Sequence, residues 1–233
     1  RHLEHAAVIA CGLAIPAKRY DRRLVTFLSE PKLNALLAAP TLSSPTGRRD
    51  RALLALAAQT GLRVSELRGL HCAGVHPGAG AHVSCLGKGR KQRVTPLISG
   101  TSAALRGWLT EHAGQPTEPV FATPSGRALS RNALEHRLAK YVEIAARTCP
   151  SLGQKAVTMH VLRHTAAMRL LRAGVDTSVI ELWLVHQQIE TTQMYLHADL
   201  EIKERALAKA TPANITPGHY LPPDKLLTFL EAV

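Results

Sequence analysis

Apolar side chains recur along most of this chain at a spacing of three to four residues, and that rhythm breaks once, between about residues 81 and 97. There His82–Leu86 alternates, Gly87-Lys88-Gly89 supplies a tight turn, and 92–97 alternates again. A period of two sends successive side chains to opposite faces of a strand, so a β-hairpin with a lysine at its tip is expected. The rest reads as helix. Ser29 and Pro31 open a helix that carries Leu33, Leu36 and Leu37 and stops near Pro40. After a loop over 41–47, a second helix over 48–60 presents Leu53, Leu54, Leu56 and Ala57 and ends at Gly61. A helical turn follows over 65–70, then helices over 100–113 and, capped by Ser130, over 131–147. Thr158 caps an amphipathic helix over 160–173 that Gly174 stops, and shorter helices fit 176–185, 188–196 and 199–210. With aromatic residues at only 4% and Ala and Leu abundant, the expected fold class is mainly α with a small antiparallel β-sheet (α+β).

The two ends read differently. Residues 1–22 are basic and unpatterned after a short apolar stretch, a linker or the tail of a missing domain; the chain opens on Arg1, not Met, and is expected to be a fragment. Residues 211–223 form a Pro-rich linker and 224–233 a short amphipathic helix. No repeat or low-complexity tract interrupts the body.

Lys and Arg number 29 against 17 acids, a formal charge of +12, which suits a polyanion-binding surface but also fits a merely basic protein. No apolar run approaches membrane-spanning length. Cys11, Cys72, Cys85 and Cys149 are scattered with no C-x-x-C pair, which argues against a zinc ribbon or disulfide framework and fits a reducing cytosol. The 12 His residues show no H-E-x-x-H or other compact metal spacing, so no metal or cofactor is expected.

Four separated clusters carry chemistry. In Thr60-Gly61-Leu62-Arg63-Val64-Ser65-Glu66-Leu67 an Arg follows a helix end, and Glu66 sits three residues on, placed to pair with it; an ordinary helix junction would look the same. Gly87-Lys88-Gly89-Arg90-Lys91-Gln92-Arg93 sets four cations within six residues, suited to a phosphate backbone and equally to a solvated basic hairpin. In His160-Val161-Leu162-Arg163-His164, positions 160, 163 and 164 share one helical face at a helix start, where the dipole favours an anion; His164 alone reads as a packed core residue. In the fourth, Tyr195 lies nine residues after His186 in a polar stretch.

Together the clusters resemble the catalytic domain of the tyrosine recombinase, or phage integrase, family, over about residues 20–210. The order is Arg in T-G-L-R-V-S-E-L, Lys in G-K-G-x-K-x-R, then H-x-L-R-H, then His, then Tyr nine residues later. The resemblance implies a domain over 23–210 that cuts and rejoins DNA without metal or ATP. Tyr195 would attack a DNA phosphodiester and form a 3′-phosphotyrosyl link. Arg63 and Arg163 would grip the non-bridging oxygens with permanently charged forks, Lys88 would protonate the leaving 5′-oxygen, His160 would act as base or proton shuttle, and His186 would bond the phosphate. Glu66 would support Arg63, and Arg90, Lys91 and Arg93 would contact DNA. The implied partners are double-stranded DNA and, on two DNA sites, a tetramer of the chain, with the isolated fragment monomeric; the implied compartment is the cytoplasm of a bacterial-type cell.

Two features depart from the family. Val185 stands where Gly usually precedes the third-cluster His, which bears on the angle of His186. The chain is expected to begin at the very end of the family's N-terminal helical domain, and a catalytic domain isolated in that way should bind DNA weakly. Type IB topoisomerases share the Tyr–Arg–Lys–His chemistry, but the short Arg63-to-Lys88 spacing and the His160–Arg163 box look more like recombinases. A non-catalytic DNA-binding relative is the other reading; a two-metal nuclease is disfavoured by the lack of a carboxylate cluster.

Overall fold

The computed structural model describes residues 25–87 and 92–184. The expected helices over 188–196, 199–210 and 224–233, and the linkers over 1–22 and 211–223, lie outside these residues. Eight helices and three strands are described: α1 (Glu30–Ala38), α2 (Pro45–Thr60), α3 (Val64–Arg68), a 3₁₀ turn (Cys72–Gly74), β1 (Val75–His76), β2 (His82–Leu86), β3 (Gln92–Pro96), α4 (Ser99–His112), α5 (Arg131–Ala146), α6 (Pro150–Gly153), α7 (Met159–Arg172) and α8 (Thr177–Leu184).

The mainly helical, α+β expectation holds. The sheet is antiparallel in the order β1-β2-β3, with Cys85 opposite Arg93 and Leu86 opposite Gln92. Caps set several of the helix starts. The Ser130 hydroxyl accepts from the Ala133 amide at 3.1 Å, and that of Thr158 from the Val161 amide at 3.3 Å. Two starts differ from expectation. At Ser29 the hydroxyl makes no capping bond. The second helix begins at Pro45 rather than 48, because the Ser44 hydroxyl accepts from the Gly47 amide and Pro45 fits the first turn, where an amide would have no helical partner. Strand β1 and helix α6 are additions: each is too short to leave a periodic trace in sequence.

Helix α2 is the organising element, packed against α1, α4 and α7. Leu53, Leu54 and Leu56 face a core shared with Leu36, Leu105, Leu138 and Leu162. The largest fully buried side chains among the described residues are all leucines, each worth about 1.5–3 kcal/mol of apolar burial. Asp50 on α2 adds a polar tie, accepting from Arg49 at 2.9 and 3.0 Å on one oxygen, and from Arg137 at 2.8 Å and the Tyr141 hydroxyl at 2.9 Å on the other. It fixes α2 against α5, and Arg49 reaches on to the Ala122 carbonyl at 2.7 Å. Among the described residues no helix is long and apolar enough to cross a membrane.

Candidate active site

The site is assembled where α2 ends. Gly61 closes that helix in the left-handed region, φ 61°, and the chain turns at once into α3. A side chain at Gly61 would bring a Cβ to 2.6 Å from the Leu184 Cδ2, so the turn also sets how closely α8 approaches. Two residues on, Arg63 occupies the position just before α3. The buried Glu66 carboxylate holds it twice: one oxygen accepts from the Arg63 backbone amide at 2.8 Å, the other from Arg63 Nη1 at 3.0 Å. The expected support of Arg63 by an acid three residues on takes this physical form.

A second cation completes the carboxylate's bonding. Arg93 on β3 donates from Nη1 to Glu66 at 2.9 Å and from Nη2 to the carbonyls of Thr60, at 3.0 Å, and Trp183. Arg93 is 5% exposed. The expectation for Arg93 is a DNA contact; here its guanidinium points into the protein and is engaged there. Alternation explains this, since Arg93 follows the inward-facing phase of β3 along with Thr95.

Helix α7 brings the third cluster to the same place. Arg163 is buried and donates to the carbonyls of Gly61 and Leu184. His160, in the first turn, stands exposed at the surface with its ring edge-on to the half-buried His164, the centroids 4.2 Å apart. Partial desolvation at its base, reinforced by the nearby Arg163 and Arg63 guanidiniums, holds the His160 imidazole below its ordinary pKa. It is thus biased toward the neutral form, the one able to accept a proton.

Arg63, His160 and Arg163 all line one cleft of about 390 Å³. Arg68, Arg131 and Glu135 line it too, and sequence reasoning missed them. Arg68 carries no local signature because its Nε bonds the Leu129 carbonyl, 61 residues away, at 3.1 Å. Arg131 had one signal, its place next to the Ser130 cap. Four guanidiniums against the single Glu135 carboxylate leave this concavity positively charged and suited to an anion. Among the described residues no three His, Cys, Asp or Glu side chains group to hold a metal ion. Lys88, Arg90, Lys91, His186 and Tyr195 lie outside the described residues.

Comparison with known proteins agrees with this architecture. Residues 26–201 match the phage integrase family. The integrase/recombinase y4rC of Sinorhizobium fredii is 49% identical over 230 residues, 99% of this chain and 69% of its own length. Tyrosine recombinase XerC of Xylella fastidiosa is 36% identical over 203 residues, 87% of this chain and 66% of its own. The chain thus spans about two thirds of the length of these relatives. In solved structures, XerA recombinase superposes with a TM-score of 0.69 at 28% identity, covering 84% of this chain and 67% of that one. With three quarters of its length matched and its helices and sheet arranged as in XerA, the chain belongs to the phage integrase family of tyrosine recombinases.

Proposed function

We propose that this chain is the DNA-cleaving and rejoining domain of a site-specific recombinase, spanning about residues 23–210, with Tyr195 as its nucleophile. The observation that supports this most is the convergence of Arg63, His160 and Arg163 on one cleft from segments about a hundred residues apart in sequence. A phosphodiester in transition carries negative charge on its non-bridging oxygens, and fixed guanidiniums stabilise it without reorganising.

The Tyr195 oxygen, its proton taken through His160, attacks phosphorus; the bond to the 5′-oxygen breaks, and Lys88 supplies that oxygen with a proton. Arg63, Arg163 and His186 hold the phosphate. The 3′-phosphotyrosyl ester keeps the energy of the broken bond, so a 5′-hydroxyl from a second strand reverses the reaction with no ATP or metal. Tyrosine's ordinary pKa near 10 makes the surrounding positive charge necessary. Arg90 and Lys91 contact the DNA backbone. The working assembly is a tetramer on two duplex sites in the cytoplasm, in which the segment 211–233 docks on a neighbouring protomer.

The test uses duplexes selected by binding from a random pool, each nicked so that the leaving piece diffuses away, incubated with the protein in EDTA and run on a denaturing gel. The expected result is a slow-migrating protein–DNA adduct that Tyr195→Phe abolishes while binding persists. Binding with no adduct on any selected duplex would overturn the proposal in favour of a DNA-binding protein without the reaction.

A further inference from the structure

Arg93 stands in sequence beside the cations of the hairpin tip, yet its placement resembles that of an interior strut. Its two terminal nitrogens reach three acceptors on three different elements: Glu66 of α3, the Thr60 carbonyl at the end of α2 and the Trp183 carbonyl at the end of α8. Its Nε is buried with no hydrogen-bond partner among the described residues. Burial pulls its pKa below the ordinary arginine value, against the pull of Glu66. That burial carries a desolvation cost, which the bonds to Glu66 and the two carbonyls offset.

Arg163 makes a parallel set of bonds one residue further along both segments, to the Gly61 and Leu184 carbonyls. Two buried guanidiniums therefore clasp consecutive carbonyls at the end of α2 to consecutive carbonyls at the end of α8. Terminal helix carbonyls have no intrahelical partner and sit at the negative pole of the helix, so a forked cation suits them. From Leu184 the chain runs on to His186 and Tyr195. Arg93 also changes the charge behind Arg63. A Glu66–Arg63 pair alone sums to zero, whereas Glu66 shared between Arg63 and Arg93 leaves a formal +1 at the edge of the cleft.

We propose that Arg93 is a positioning residue for strand cleavage, holding Arg63 through Glu66 and fixing the end of α8 through the Trp183 carbonyl; this rests on the recombinase reading above. A lysine, with one nitrogen in place of a planar fork, cannot span the same acceptors, so retaining charge alone is insufficient.

The experiment compares the protein with its Arg93→Lys, Arg93→Met and Glu66→Gln variants in three readouts: single-turnover cleavage of the nicked duplex at saturating protein, affinity for the same duplex by fluorescence anisotropy, and the ¹⁵N–¹H guanidinium resonances of Arg63, assigned through Arg63→Lys. Misplacing a phosphate-gripping group by about 1 Å can cost on the order of 100-fold. Both Arg93 variants should therefore cleave roughly 10–100-fold more slowly at saturation, bind DNA within about threefold of the parent, and shift the Arg63 resonances. Arg93→Lys retains a cation in place and serves if Arg93→Met does not fold. Full cleavage at saturating protein with weakened affinity would overturn the proposal and make Arg93 a DNA contact. Unmoved Arg63 resonances would overturn it as well. If the parent protein forms no adduct while Arg93→Met still moves the Arg63 signals, the recombinase reading fails and the Arg93–Glu66–Arg63 linkage stands.

Discussion

Replacing Gly61 by alanine should disturb both the fold and the site, by an amount the local geometry allows to be worked out. The residue sits at φ 61°, and an alanine held in the left-handed region costs about 1–2 kcal/mol. The added Cβ would lie 2.6 Å from Leu184 Cδ2 and 3.3 Å from the Ala166 Cβ. Both neighbours are buried, Leu184 fully, so neither can move into solvent. Overpacking of that kind costs a further 1–3 kcal/mol or so, for a total of about 2–5 kcal/mol. In a domain of this size the midpoint of thermal unfolding should fall by roughly 4–20 °C, which circular dichroism will read directly. Leu184→Ala, which opens space opposite, separates the two causes. Its own cost is about 2–5 kcal/mol, but in the double variant the steric part of the Gly61→Ala penalty disappears, so the pair should fall short of additivity by about 1–3 kcal/mol. A Gly61→Ala variant within about 0.5 kcal/mol of the parent, or strict additivity in the double variant, would refute the packing argument.

Three other outcomes can be checked. Asp50→Asn removes the only carboxylate facing Arg49, Arg137 and the Tyr141 hydroxyl among the described residues, and stranding the buried Arg49 should cost about 3–5 kcal/mol in urea denaturation with an unchanged slope. In the same variant the Tyr141 phenol, pushed up to about 12 by burial and its bond to Asp50, should titrate closer to its ordinary value in an alkaline absorbance titration. For His160 the folded pKa lies below the ordinary 6.5, so below that pH the unfolded chain binds more protons than the folded one; stability should therefore fall as pH drops through this range, and His160→Gln should flatten that part of the slope.

How much of this was legible in sequence can be judged residue by residue. The hairpin strands and the helices behind Ser130 and Thr158 were legible because alternation and capping are local signals. The start of α2 was not, because Ser44 and Pro45 lie in a run whose composition also suits a loop. Glu66 could be assigned to Arg63 from a spacing of three. Arg93 could not be assigned to Glu66, since 27 residues separate them and only burial reveals that the strand turns this cation inward. Arg68 and Arg131 escaped for the same reason: a cleft is a property of packed elements, and neither residue stands in a motif.

The bond between Arg163 and the carbonyl of Gly61 joins residues 102 positions apart. Contacts of such long range form late, once the intervening chain has been gathered in. During synthesis, Arg63 leaves the ribosome well before Arg163 and waits without its counterpart. A chain clipped or stalled between them holds scattered basic groups and no assembled cleft. Assembly of the cleft is thereby coupled to completed folding, and half-made copies lack it.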